Sequence, residues 1–124
     1  MTFSQKLTAL SAAVEGATGL ALIAAPVLVG QLLLGSELPS RGIVVARCFG
    51  IALLALTVAV WPGGDSGGRS GARAMFLYNA LIALYLTWLG VHWHMGGTLL
   101  WPAVALHAAV AVLLGWALTA AMAR

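Results

Sequence analysis

Four residues in this chain stand where solvation makes polar groups costly: Glu15, Arg47, Asn79 and His107. Each is flanked on both sides by apolar residues, and a charged or strongly polar side chain in such a run is expensive unless it faces a partner or water. A carboxyl and an imidazole exchange protons, a guanidinium neutralises a carboxylate, and a carboxamide donates and accepts hydrogen bonds at once. Sharing one interior, the four could bind a proton, an ion or a small polar ligand. They could equally be pins between helices, with Glu15 neutralised by Arg47 while Asn79 and His107 complete hydrogen bonds. Wetness separates the two readings. A dry, fully paired Glu15 and Arg47 are structural, whereas a pocket opening beside them is a binding site.

A second group lies close together in sequence. His92, His94 and Met95 form a His-x-His-Met string, and imidazole with thioether suits copper, Cu(I) above all. The bland alternative is a pair of interfacial hydrogen-bonding histidines. A haem would need axial ligands at matched depth on facing helices, and His107 lies far from the depth expected for His92 and His94, so no cofactor is implied. Cys48 is the single cysteine and excludes an intrachain disulfide or a dithiol relay. No nucleophile stands beside a recognisable base. No catalytic residue is therefore assigned, and the chain is not expected to be an enzyme.

The elements that must position these groups follow from composition. Of the 124 residues, 62% are hydrophobic and 7% charged, far below the quarter or so of a water-soluble domain, and too apolar for disorder. The net charge of +3 is scattered over Lys6, Arg41, Arg47, Arg69, Arg73 and Arg124, which speaks against a nucleic-acid partner. An integral membrane protein is expected, its first partner the lipid bilayer, with room for roughly four spans of about 20 residues. Apolar runs of this length exclude a β-barrel.

The first run, Leu7 to Leu34, would be roughly 42 Å as one helix, too long for a ~30 Å core. Pro26 should break it, giving a span at about 6–25 with a kinked extension to 34. Turn residues from Gly35 to Ser40 precede a second span at about 42–61, stopped by Pro62. Asp65 to Gly71 reads as a flexible loop. A third span at about 72–90 and a fourth at about 99–122, with Pro102 in its first turn, complete an all-α four-helix bundle forming a single domain.

Periodicity then assigns faces. Ser4, Thr8, Ser11, Glu15 and Thr18 recur at intervals of four and three and make one stripe. Asn79, Ala83 and Thr87 make another. Small residues flank His107 at Ala103, Ala111 and Gly115, permitting close helix approach. All four polar faces are expected to turn toward one interior. Lys6, Arg69, Arg73 and Arg124 fall on the side shared by both termini, against Arg41 in the opposite loops, so both termini should be cytoplasmic. Trp88, Trp93 and Trp101 mark the outer boundary, and Trp61 and Trp116 the inner one.

The runs Glu15-Gly16-Ala17-Thr18-Gly19-Leu20-Ala21-Leu22, Val45-Ala46-Arg47 and Leu99-Leu100-Trp101-Pro102-Ala103-Val104-Ala105-Leu106-His107 resemble a group of small uncharacterised bacterial four-span inner-membrane proteins. The resemblance covers nearly the whole chain. It implies the four-span fold and a multi-pass place in the bacterial inner (cytoplasmic) membrane, and brings no activity with it. In size and early carboxylate alone, the chain is superficially similar to small multidrug resistance transporters, in which a first-span glutamate exchanges protons for a cationic substrate. That similarity would give Glu15 the exchanging role.

The function expected from the sequence is a non-enzymatic accessory or interaction subunit of a larger membrane complex, meeting other subunits or further copies of itself through Ala- and Gly-rich faces. The alternative is a small transporter or ligand-binding protein using Glu15, Arg47, Asn79 and His107. A metal- or haem-binding membrane protein is the third reading.

Overall fold

The computed structural model describes residues 2–63 and 68–123. Asp65, Ser66 and Gly67 of the expected loop, and Arg124 of the cation count, lie outside the described residues. The regular elements are all α-helices: α1 (Phe3–Ala24), α2 (Pro26–Leu34), α3 (Ser40–Val60), α4 (Arg69–His92) and α5 (Leu100–Met122). Four of them, α1, α3, α4 and α5, are long and apolar enough to cross a membrane, each about 32–36 Å from end to end. The chain is a multi-pass helical membrane protein.

Local chemistry sets the boundaries. Thr2 caps α1 reciprocally: its Oγ1 accepts from Gln5 N at 3.3 Å, and Gln5 Oε1 accepts from Thr2 N at 2.7 Å. At the other end Ala25 leaves the helical region (φ −139°, ψ 58°), as the residue before a proline tends to do. The extension past Pro26 is a separate helix rather than a kinked end of the first span. Pro26 sits in the first turn of α2, where its missing N–H costs nothing. Gly35, at φ +74°, ends α2 in the left-handed conformation that suits glycine.

The long helices pack most closely as two antiparallel pairs, α1 with α3 and α4 with α5. Backbones meet directly in the first pair. A Cβ on Gly19 would fall 2.7 Å from Gly50 O, and one on Gly50 2.6 Å from Gly19 O, so this crossing admits no side chain on either helix. Across the same interface Thr57 Oγ1 lies 3.0 Å from Ala12 O, and it lies 2.9 Å from Leu53 O on its own helix. Contacts between the pairs are sparser, made by α1 against α4 and α5 and by α3 against α4.

An apolar core fills the seam at the end shared by the N-terminus and the start of α4. It joins Leu7 and Ala12 of α1, Val60 of α3, Ala72 and Met75 of α4, and Val110 and Leu114 of α5. At the opposite end the α4–α5 connection closes over α2: Gly97 N donates to Leu33 O at 3.1 Å and Leu99 N to Leu32 O at 2.8 Å. These bonds satisfy carbonyls that the end of a helix otherwise leaves open.

Candidate ligand-binding site

Between the apolar core and the closure over α2, the seam is polar. On α1, Ala12, Gly16 and Gly19 turn toward α3, and Thr8, Ser11 and Glu15 are buried alongside them. Spacings of three and four keep Ser11 and Glu15 on one face. That face meets Tyr78 and Asn79 on α4 and His107 on α5.

The hydrogen bonds define a directed network. Tyr78 donates its hydroxyl to Glu15 Oε2 at 2.8 Å. Asn79 Nδ2 donates to Ser11 Oγ and to Met75 O, each at 2.8 Å. A carbonyl can only accept, so the Met75 bond fixes the amide orientation and leaves Asn79 Oδ1 as an acceptor. Oδ1 lies 2.8 Å from His107 Nδ1, so that nitrogen must carry hydrogen. The imidazole is thereby oriented, with Nε2 as the ring nitrogen that does not bond Asn79. Tyr78 also meets the His107 ring edge-on, centroids 6.0 Å apart.

Glu15 completes one side of its carboxyl and leaves the other open. Its Oε1 is buried without a hydrogen-bond partner, although it lies 3.7 Å from His107 Nδ1. Glu15 is 2% exposed, and an open acceptor so deep costs roughly 1–3 kcal/mol unless something fills it. A cavity of about 50 Å³ lies against the same cluster, with Ser11, Glu15, Asn79 and His107 as its polar residues and Leu10, Val14, Leu106 and Val110 as its apolar ones. A water needs only about 10–15 Å³ of such volume, so the cavity can hold a small polar group. Charge balance constrains its chemistry. A net charge is costly at mid-membrane, and with Nδ1–H in place one further proton shared by Glu15 and His107 would leave the cluster neutral.

Three of the four residues singled out from the sequence thus come together: Glu15, Asn79 and His107. Arg47 does not join them. It is exposed on α3, and among the described residues the ion pair made by Glu15 is with His107, so the expected neutralisation of Glu15 by Arg47 is replaced by hydrogen bonding to Tyr78. The cause is rotational. Gly50, Leu53 and Thr57 face α1, and at 100° per residue Arg47 lies about a quarter-turn from the centre of that face. From about 10 Å inside its helix the guanidinium can still snorkel toward the interface.

Tyr78 and Ser11 carry more of the site than the sequence reading gave them. Ser11 stood in the visible stripe. Tyr78, read from sequence as a packing residue with an interfacial hydroxyl, lies about 13–14 Å into α4, where its hydroxyl must find a buried partner. Thr18 and Thr87 are satisfied locally, bonding the carbonyls of Val14 and Ala83.

At the α4–α5 connection His92 and His94 are exposed, and His92 stacks on Trp88 with centroids 5.8 Å apart. Met95 N bonds Leu89 O. Among the described residues no three His, Cys, Asp or Glu side chains converge as metal ligands would. Comparison with protein-family models, curated proteins and solved structures finds no match. Any assignment of function rests on the side chains themselves.

Proposed function

We propose that this chain is a small, non-enzymatic ligand-binding protein of the bacterial inner membrane, holding a small polar group at the Glu15–His107 cluster. The observation that carries the reading is Glu15 Oε1, buried and unpartnered beside a cavity able to admit a water-sized group. A dedicated pin would be closed on both oxygens. The cluster also lies where two tightly packed helix pairs meet through sparser contacts, the place where a bundle can open at least cost. Bundles commonly build ligand sites from side chains on facing helices.

Infrared difference spectroscopy tests the site. In nanodiscs, the Glu15 carboxyl band is identified by its loss in Glu15→Gln. It should shift within seconds of transfer to D₂O and move again on addition of methanol. A band that exchanges slowly and ignores methanol would establish the cluster as a dry interhelical pin.

An accessory-subunit role is the second reading, supported by α3. This helix exposes Val44, Val45, Phe49, Ile51 and Val58 along with Arg47, a cation better accommodated against a polar group of another subunit or a further copy than against lipid tails. Purification at native expression in mild detergent, followed by mass spectrometry, distinguishes a stoichiometric partner from a chain running alone. Cytoplasmic termini belong to the same proposal. Lys6, Arg69 and Arg73 share one end of the bundle and Arg41 lies toward the other. Reporters fused after the C-terminus should therefore read cytoplasmic, and one near Gly96 exterior.

A further inference from the structure

We propose that the cavity is entered sideways from the bilayer, and that it takes the hydroxyl head of a neutral long-chain amphiphile. The head sits on Glu15 Oε1 and the chain leaves between Leu10 and Leu106. This deepens the binding reading above and depends on it.

The mouth is placed by exposure and depth. Leu10 is 55% and Leu106 43% exposed, while Ser11, Glu15 and Asn79 on the same cavity are at 1–2%. Leu10 lies about 10 Å along α1 from one end of the bundle, and Leu106 about 9 Å along α5 from the other. An opening between them faces hydrocarbon, not either aqueous phase. Val14 and Val110 complete an apolar passage suited to an alkyl chain.

Size selects the head. About 50 Å³ accommodates a hydroxymethyl group, since one water needs only about 10–15 Å³ of such volume, and falls well short of the roughly 150 Å³ at which an apolar cavity admits an aromatic ring. Charge narrows it further. The cluster is neutral with one proton shared by Glu15 and His107, and an ammonium or carboxylate head would import a net charge at mid-membrane. Hydrogen bonding decides between the neutral heads. An alcohol donates and accepts, so it meets Glu15 wherever the shared proton resides, whereas a carbonyl can only accept.

Photolabelling of the full chain in nanodiscs tests this. The probe is a hexadecanol analogue with a mid-chain diazirine, compared with the amine and the carboxylate of the same chain. The alcohol should label the segments around Leu10–Val14 and Leu106–Val110 more than either charged analogue by about tenfold, the factor that ~1.4 kcal/mol supplies. Glu15→Leu should reduce that labelling to the level of the charged probes. Leu10→Trp and Leu106→Trp, which crowd the mouth, should reduce labelling by the alcohol to the level of the charged probes. Equal labelling by the amine or the carboxylate overturns the hydroxyl head, as does labelling indifferent to Glu15→Leu. In the unaltered chain, a methanol response without long-chain labelling overturns sideways entry while the binding site stands. If neither methanol nor any chain acts through Glu15, both proposals fall.

Discussion

Two double-mutant cycles sharing the Glu15→Leu variant separate the partner that the structure gives Glu15 from the one that charge alone suggests. The first pairs it with Tyr78→Phe, which removes the 2.8 Å bond to Oε2 and keeps the ring that meets His107 edge-on. One buried hydrogen bond to a carboxyl, discounted for the partners available to an unfolded chain in a membrane, couples the residues by about 1–2 kcal/mol. That is roughly a 5- to 30-fold change in the folding constant beyond the product of the single effects. The second pairs Glu15→Leu with Arg47→Leu. Arg47 is exposed and outside the cluster, so these effects should add to within about 0.3–0.5 kcal/mol. Unfolding by sodium dodecyl sulfate in mixed micelles, followed by tryptophan fluorescence, measures all five variants and the unaltered chain on one scale. Coupling above about 1 kcal/mol in the Arg47 cycle together with additivity in the Tyr78 cycle would refute the network and restore the ion pair.

Three further outcomes follow from the same geometry. Gly50→Val places a Cβ 2.6 Å from Gly19 O and should destabilise the chain in the same titration by at least the roughly 1–3 kcal/mol of an overpacked core, whereas Ala52→Val on an exposed face of α3 should change little. Asn79→Leu strands the His107 Nδ1–H and opens two more bonds, so at about 0.6 kcal/mol per bond in membranes it should cost roughly 2 kcal/mol; Asn79→Asp, with no donor for Met75 O, should not rescue it. Replacing both His92 and His94 by alanine should leave stability within about 0.5 kcal/mol, because neither is buried, and elemental analysis of the unaltered chain after gentle purification should find no stoichiometric copper.

What could be read from the sequence was what the bilayer dictates. Long apolar runs, the Pro26 break and the spacing of Ser11 with Glu15 depend on one helix at a time, and four spanning helices follow from them. Which polar group meets which depends on how helices rotate against one another. That rotation is set by contacts a sequence does not display, above all the Gly19–Gly50 crossing, which swings Arg47 out of the seam. The most economical pairing by charge, Glu15 with Arg47, was therefore not the pairing by geometry. From sequence Tyr78 reads as a packing residue with an interfacial hydroxyl, and the helix rotation that aims that hydroxyl at Glu15 is again a tertiary property. The separate helix after Pro26 also needed tertiary information: its carbonyls are closed by Gly97 and Leu99, more than 60 residues further along.

The division into two helix pairs has a consequence for how the protein is made. Glu15 belongs to the first pair, while Tyr78, Asn79 and His107 all belong to the second, and Tyr78 follows Glu15 by 63 positions. At about 5–20 residues per second, synthesis leaves an interval of roughly 3–13 s before that hydroxyl even exists. Through that interval the carboxyl crosses the translocon and waits in lipid with an unmet valence, and the nascent first pair carries a standing penalty that only its own second half relieves. Biogenesis factors that shelter polar side chains would act on residues 2–63 as their client. A nascent chain truncated after α3 should be extracted and degraded faster when it carries Glu15 than when it carries leucine there.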